Sequence, residues 1–372
     1  MKIPFMRLDR QYALHKDEIL SICDNVFSHG RVLQGKEVDS LENKLSEIHR
    51  SKHSVAVNSG TDALYFALLS LGILPKDKVI VPSLSFIASA SPIERIGAIP
   101  VFVDSTFQYH SDVDQIIKII RTEDIKCVVF VHLYGELVDL SYLYEECKKN
   151  DVILIEDGAQ ALGAVNGDYI LGDNSDAATL SFDPMKIAGA YGSGGAVITN
   201  SDIVKQKIIR LRYHGRDENR VYVNLGYNSQ MSSIQAAIIE FKIKKMTEWT
   251  KKRIEIARKY KSHILSGIIA PKENNNITHV YHKYAIRCTS INRDEIKNKL
   301  LDLGIQTMIH YIKPLYSEPI FDIYKVDRSQ FPVTEKLTNE LLSLPIYPEL
   351  LDSEVDFVIE SLSRFSKFIR IY

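Results

Sequence analysis

The sequence predicts an α/β fold, a mostly parallel seven-stranded sheet with a smaller C-terminal α+β domain. Three observations predict it. Between about residues 50 and 200, seven short apolar runs rich in β-branched residues alternate with segments of helical spacing. After Asn228 a long amphipathic helical pattern grows steadily more charged and leads out of the sheet region. A polar break, PKENNNITH at 271–279, then opens a second set of elements. With 372 residues and 45% hydrophobic content, the chain can fill one large core and a smaller one. The expected division is a large domain over 1–245 and a small one over 246–372.

In chain order the runs are SVAV (54–57), KVIVP (78–82), IPVFVD (99–104), CVVFVHLYG (127–135), VILIED (152–157), ATLSF (178–182) and GGAVITN (194–200). The first five are nearly continuous in apolar residues, as strands covered on both faces by helices must be. The stretch SSIQAAIIEFKIKKMTEWTKKRIEIARKYKSHIL reads as one long helix. In the small domain the expectation is a strand over VYHKYAIRC (280–288), a helix from near Asn292, a second strand over GIQTMIHY (304–311) and a closing helix from Ser353.

Composition excludes several function classes. The 46 basic and 47 acidic residues leave a formal net charge of −1, so no field draws the chain to nucleic acid or an anionic membrane. Cys23, Cys127, Cys147 and Cys288 lie too far apart in sequence for a zinc or thioredoxin-like pattern, and no metal site is expected. MKIPFMRLDRQY lacks the apolar stretch of a signal peptide, and no run approaches the roughly 20 apolar residues that span a bilayer. The expectation is a cytoplasmic protein with a small-molecule site.

Ligands of open α/β sheets sit beyond the carboxyl ends of the strands. Four such ends carry chemistry-bearing residues. In VNSGTDAL (57–64) a strand gives way to a helix whose free N–H groups and adjacent Ser59 and Thr61 hydroxyls suit a phosphate; ordinary capping by Thr61 or Asp62 is the competing reading. In VILIEDGAQALG, Asp157 ends an apolar strand, where a carboxylate suits a protonated ring nitrogen, or else a cap or salt bridge. Glu156 points the other way if strand geometry persists.

The third is SFDPMKIAGAYGSGG (181–195), with Lys186 among Pro184, Met185, Ile187 and Ala188. A lysine in apolar surroundings loses its proton more readily and becomes a nucleophilic amine able to form a Schiff base. A random lysine is a surface charge, and a plain hairpin explains the glycines equally well. The fourth, SLSFIASA, sets Phe86 just past a strand end, where it either stacks on a planar ring or joins the core. Phosphate cradle, carboxylate, amine and flat aromatic face on one sheet edge are what pyridoxal 5′-phosphate requires.

The order of motifs then resembles a known family. RLDRQY, GRVLQGKEVDSLE, VNSGTDALYFALLSLGI, GAIPVFVD, VHLYGELVDL, IEDGAQALGA, SFDPMK with GAYGSGGAVITN, LRYHGR, GYNSQMSSIQAA, GIQTMIHYIKPL and LLSLPIYPEL resemble, over nearly the whole chain, the DegT/DnrJ/EryC1/StrS sugar aminotransferases. The resemblance implies the PLP-dependent transferase type I fold and roles for single residues. Lys186 matches the lysine of the internal aldimine, Asp157 the carboxylate on the pyridinium nitrogen, Gln160 the glutamine beside the ring and its 3-hydroxyl, and Phe86 the stacking aromatic. Gly60, Thr61 and Ser181 match phosphate-binding positions. Asn228 would reach the phosphate from the neighbouring subunit, so the resemblance implies a homodimer with shared active sites. His310 and Tyr311, in the IHY motif, fall where the family contacts the sugar.

It further implies transfer of an amino group from L-glutamate to a keto-sugar nucleotide with ping-pong kinetics, for amino-sugar biosynthesis in surface polysaccharide (O-antigen, lipopolysaccharide) or secondary metabolism. GTDAL and the Asn228-Ser229-Gln230 segment look more like relatives acting at C3 of a deoxyhexose on dTDP or UDP than at C4. Gln230 stands where close relatives commonly carry arginine, which removes a charge near the substrate and argues against a uronic acid; a rearranged subunit contact explains it as well. Two other readings remain. One is a cofactor-dependent sugar dehydratase, whose relatives carry histidine at the lysine position, so Lys186 argues against it. The other is a non-catalytic PLP-binding regulatory protein.

Overall fold

A computed structural model of the chain describes residues 1–274 and 276–365; the last residues of the expected small domain, 366–372, lie outside the described residues. Strands form at all seven apolar runs: β1 His53–Val57, β2 Lys78–Pro82, β3 Ile99–Val103, β4 Cys127–Val131, β5 Ile153–Asp157, β6 Ala177–Ser181 and β7 Gly195–Thr199. They make one sheet in the order β1-β7-β6-β5-β4-β2-β3. The pairs from β6 across to β3 are parallel, and β7 alone runs antiparallel to its neighbours β6 and β1.

The two-residue period of the strands sorts their side chains between two cores. Val128 and Phe130 of β4 join Ile80, Leu154 and Ala178 on one face, under the helix Lys36–Ile48 and the first turns of Ser233–Ser262. Cys127, Val129 and Val131 join Val79, Val81 and Ile155 on the other, under the helices Gly60–Ser70 and Ser91–Ile96. Every residue of β4 is buried. This two-sided burial is why the run is continuously apolar, and truncating Phe130 to alanine would cost about 3–5 kcal/mol.

The helix Ser233–Ser262 runs from the first core, through Ala236, Ile239 and Ile243, into a third, through Ile256, Ala257 and Tyr260. That third core also holds Ile3 from the chain's start. Its sheet is antiparallel, with Tyr284–Cys288 between Ile268–Ile269 and Leu341–Leu344. Asn292 caps the helix Arg293–Asp302, accepting the N–H groups of Asp294 and Glu295, and the closing helix spans Asp352–Ser363.

Two expectations for this region need correction. The stretch 304–311 is not a strand: Ile305 bridges only to Ile3 and Met308 only to Ser343, so successive residues face different partners and no ladder grows. The third strand is Leu341–Leu344, a run of four apolar-rich residues directly after the helix Pro332–Glu340, too short for periodicity to separate from that helix. The strand expected over 280–288 begins only at Tyr284, because Val280 and Lys283 donate their N–H groups to Gly135 and Tyr134 instead. Among the described residues no helix is long and apolar enough to cross a membrane, and no group of three or more His, Cys, Asp or Glu could hold a metal ion.

Candidate active site

The carboxyl ends of β1, β5 and β6 meet around a cavity of about 200 Å³. Where β1 ends, Ser59 caps the helix Gly60–Ser70, its Oγ accepting the Asp62 N–H at 3.1 Å. The cap is therefore Ser59, not Thr61 or Asp62. Helix geometry leaves the Gly60 and Thr61 N–H groups without intrahelical acceptors at the positive end of the dipole. A Cβ on Gly60 would sit 2.6 Å from the Ser181 Cβ, and one on Gly195 would sit 2.2 Å from the Ser59 carbonyl. Only glycine lets the helix start lie this close to β6 and β7. Free N–H groups beside the hydroxyls of Ser59, Thr61 and Ser181 make a small, donor-rich cradle of the kind that binds phosphate.

Asp157 and Lys186 line the same cavity. Asp157 ends β5 with its side chain buried; Oδ1 accepts the Ala159 N–H at 3.0 Å and Oδ2 lies 3.5 Å from Ser89 Oγ. Burial raises its pKa, opposed by the Ala159 N–H and by the charge of Lys186. Lys186 is half-buried, at the tip of a loop in which its N–H donates to Asp183 O at 2.8 Å. Burial lowers its pKa, opposed by Asp157 and Asp183. Desolvation thus pushes acid and amine towards their neutral forms.

Glu156 does point away from the cavity. It accepts from His132 Nε2 and the Tyr169 hydroxyl, each at 2.9 Å, and from the Gly172 N–H at 3.0 Å. His132 Nδ1 accepts the Val138 N–H at 3.2 Å, which assigns the ring's proton to Nε2, and the His132 N–H donates to Asp157 O at 3.0 Å. This buried network braces the strand end that carries Asp157.

Gln160 Oε1 accepts the Tyr134 N–H at 2.9 Å, and Nε2 donates to the Tyr311 hydroxyl at 3.3 Å. Phe86 is 55% exposed yet lines the cavity, with the Tyr311 ring 6.2 Å away, so its free face is available to a flat ligand. The preceding peptide, His310–Tyr311, is cis, and the Tyr134 hydroxyl donates to the His310 carbonyl. His310 Nδ1 lies 2.9 Å from Ser343 Oγ; burial, with the nearby charges of Lys283 and Lys186, pushes its pKa down to about 3. It is neutral at physiological pH.

The structure thus gathers Gly60, Thr61, Phe86, Asp157, Gln160, Ser181 and Lys186 around one cavity, with Tyr311 at its edge and the His310 ring beside Tyr311, against Ser343 and Phe5. It does not bring Asn228 or Gln230 there. Asn228 is exposed and bridges to Tyr213, while Gln230 lines a separate cleft with Gln34, Arg210 and Arg216. Sequence reasoning missed Ser85 and Ser89, whose hydroxyls bond each other at 2.7 Å beside Asp157, and Asp183 beside Lys186. Both serines stand in SLSFIASA just past the end of β2, so their place beyond a strand end was the available signal. Tyr134 carries no such signal: at its φ of +60° its backbone N–H, though from an apolar strand run, meets Gln160 Oε1.

Residues 14–363 match the model of the DegT/DnrJ/EryC1/StrS aminotransferase family. The chain is 36% identical over 370 residues to the pleiotropic regulatory protein of Geobacillus stearothermophilus, covering 98% of this chain and 99% of the relative. It is 35% identical over 360 residues to the dTDP-3-amino-3,4,6-trideoxy-alpha-D-glucose transaminase of Micromonospora megalomicea subsp. nigra, covering 95% and 96%. The structure of NtdA from Bacillus subtilis with bound cofactor PMP superposes with a TM-score of 0.90 at 31% identity, covering 98% of this chain and 85% of that one. The cradle under Gly60, the Lys186–Asp157 pair and the uncovered face of Phe86 fit pyridoxal 5′-phosphate. Fold and comparisons together define a PLP-dependent enzyme of the type I aminotransferase class. The chain belongs to the DegT/DnrJ/EryC1/StrS aminotransferase family.

Proposed function

We propose that this chain moves an amino group from L-glutamate to a keto-sugar nucleotide, aminating carbon 3 of a deoxyhexose carried on dTDP or UDP. It does so as a homodimer with shared active sites. The observation that carries the reading is the placement of Lys186 and Asp157 on one cavity, the amine pushed down and the carboxyl up by the same burial. Carbon 3 and dTDP draw support from the name of the Micromonospora relative.

When bound, pyridoxal 5′-phosphate supplies an electrophilic carbonyl carbon and an electron-withdrawing ring. The chain's residues do the rest. Lys186 Nζ would hold the cofactor covalently and, once freed by the donor amine, would carry the donor's Cα proton across to the cofactor carbon that keeps the transferred nitrogen, for which a lowered pKa is required. Asp157 would accept a hydrogen bond from the protonated ring nitrogen and keep it charged. The Gly60 and Thr61 N–H groups and the Ser181 hydroxyl would bind the phosphate, Phe86 would cover the ring, and Gln160 would stand beside it. His310, neutral, and Tyr311 orient the sugar. Asn228 and Gln230 act from the partner protomer. The large and small domains divide near residue 245, within the helix Ser233–Ser262.

Borohydride treatment of the loaded enzyme followed by peptide mapping tests the first claim: the reduced pyridoxyl group belongs on Lys186. Glutamate should bleach the yellow protein, and 3-keto dTDP- or UDP-hexoses should restore the colour. Restoration by 4-keto compounds alone would reassign the position. The name of the Geobacillus relative favours a second reading, a cofactor-binding regulator, which bleaching without any keto-sugar turnover would select.

A further inference from the structure

The helix Ser233–Ser262 carries a lysine to which the reaction above gives no role. Lys242 is 1% exposed. Its amine meets a carbonyl and a ring: Nζ donates to Gly189 O at 2.5 Å and lies 4.1 Å from the Tyr191 ring centroid. A buried amine of this kind is costly to desolvate, and a methionine would fill the same space without that cost.

The carbonyl it holds belongs to the loop that presents Lys186. The Ala190 N–H donates to Phe182 O at 2.9 Å and closes the loop's base. Inside it the Lys186 N–H donates to Asp183 O at 2.8 Å and the Gly189 N–H to Lys186 O at 3.0 Å. The backbone doubles back so tightly that a Cβ on Gly189 would sit 2.4 Å from Asp183 O and 2.6 Å from Pro184 O. Gly189 is therefore tied on both sides, through its N–H to the Lys186 carbonyl and through its C=O to Lys242. The cation over Tyr191 fixes the chain two residues further on.

We propose that Lys242 is a positioning residue for Lys186, anchoring through Gly189 O and the Tyr191 ring the loop that aims the Lys186 amine into the cavity. The proposal rests on the PLP reading of that cavity. Burial pushes the Lys242 pKa down to about 8, and charged or neutral the amine retains an N–H for the Gly189 carbonyl. Lys242 touches no reacting atom, so its effect falls on the formation of the Lys186–cofactor bond and on kcat, and spares the sugar KM.

Lys242→Met and Lys242→Gln test this, the first keeping volume without a donor and the second keeping a shorter donor. The apo chains are mixed with pyridoxal 5′-phosphate and cyanoborohydride, and the rate of pyridoxyl fixation at Lys186 is followed by peptide mapping. Amide exchange over 183–191 is recorded on the apo protein. Fixation at least tenfold slower in Lys242→Met, an intermediate rate in Lys242→Gln, faster exchange of the loop and an unchanged sugar KM support the proposal. Wild-type fixation and exchange in Lys242→Met overturn it. Should Lys242→Met fail to fold, Lys242→Gln decides: slowing that merely tracks its unfolded fraction overturns the proposal, and slowing in the folded fraction supports it. A wild-type chain that fixes nothing at Lys186 overturns the PLP reading and this inference together, whereas equal rates in wild type and variants overturn the inference alone.

Discussion

Gln160 Nε2 donates to the Tyr311 hydroxyl at 3.3 Å, joining the sheet's carboxyl edge to a segment 151 positions later in the chain. The same side chain accepts the buried Tyr134 N–H through Oε1. Gln160→Ala strands that N–H without a partner, a loss of about 1–3 kcal/mol, and frees Tyr311 from its anchor. The expected outcome is a lower urea midpoint together with a sugar kcat/KM reduced about 10-fold or more. Tyr311→Phe should share the kinetic loss but little of the stability loss. Equal urea midpoints for wild type and Gln160→Ala would show that the Tyr134 N–H finds another acceptor.

Asp157 trades stability for chemistry. Burial raises its pKa in the folded state, so its contribution to stability is present at low pH and lost as pH rises through the folded value; at neutral pH the buried carboxylate weakens the apo fold. Asp157→Asn retains an acceptor for the Ala159 N–H and removes the charge. It should melt higher than wild type at neutral pH as apo protein, the gap closing as pH falls through the carboxylate range. Transamination should fall about 100-fold or more because the ring nitrogen loses its anionic partner. Calorimetry of the apo forms and glutamate half-reaction rates check the two halves separately. A variant melting below wild type at pH 7 would contradict the sign.

Gly60→Ala adds a Cβ 2.6 Å from the Ser181 Cβ, with the Ser181 Cα 3.2 Å away, so relief requires backbone movement of the helix start or of β6. That movement takes the Gly60 and Thr61 N–H groups away from a phosphate held between them. We expect PLP affinity to fall about 10–100-fold, 1.4 kcal/mol for each factor of ten, with the Lys186 chemistry intact once saturated. Titration of the visible band against cofactor concentration measures it. An unchanged dissociation constant would remove this helix start from the phosphate site.

What could be read in advance, and what could not, follows from where each constraint resides. The seven strands were legible because burial on both faces writes continuous apolar runs, and the strand-end rule then placed Lys186, Asp157 and Phe86 on one edge, whereas Gln160 came only with the family resemblance. Leu341–Leu344 was not legible, since four residues after a helix carry no period of their own. Lys242 reads in sequence as one more charge in an amphipathic helix; that it lies buried under Gly189 depends on packing between elements 53 positions apart. The roles proposed for Asn228 and Gln230 require a second chain, which no local pattern in one chain reports.

His49 gives the pH dependence a sign. Its ring is buried, with Nδ1 3.2 Å from Leu171 O, and burial pushes its pKa down to about 4, opposed by the Leu171 carbonyl and by Glu156 and Asp173. The unfolded chain binds this proton near pH 6.5 and the folded chain only near 4. Stability is therefore full above the upper value and lost as pH falls towards the lower, by about 1.4 kcal/mol per unit and on the order of 3 kcal/mol in all. His49→Gln should flatten the acid limb of the stability curve by that slope. Denaturant midpoints between pH 7 and 4 measure it, and parallel curves would show that His49 is protonated in the folded state.

The cavity is lined by neither Asn228 nor Gln230. Asn228 lies outside it, in an exposed stretch where Tyr222 and Leu225 are 67% and 90% exposed. Large apolar side chains left in water beside a polar residue suit a contact with a second copy. If Asn228 completes the partner's cavity, Lys186→Ala and Asn228→Ala are each inactive, yet mixing them restores activity. In a mixed dimer one cavity carries both lesions, and the other joins an intact Lys186 to an intact Asn228. Random exchange at equal concentrations makes half the dimers mixed, so about one quarter of all sites, and of wild-type activity, returns. Leu225→Asp should lower both sedimentation coefficient and activity by opening the contact. Two dead variants that stay dead after dissociation and reassociation would confine every catalytic residue to its own chain, and Asn228 would then have no place in the site.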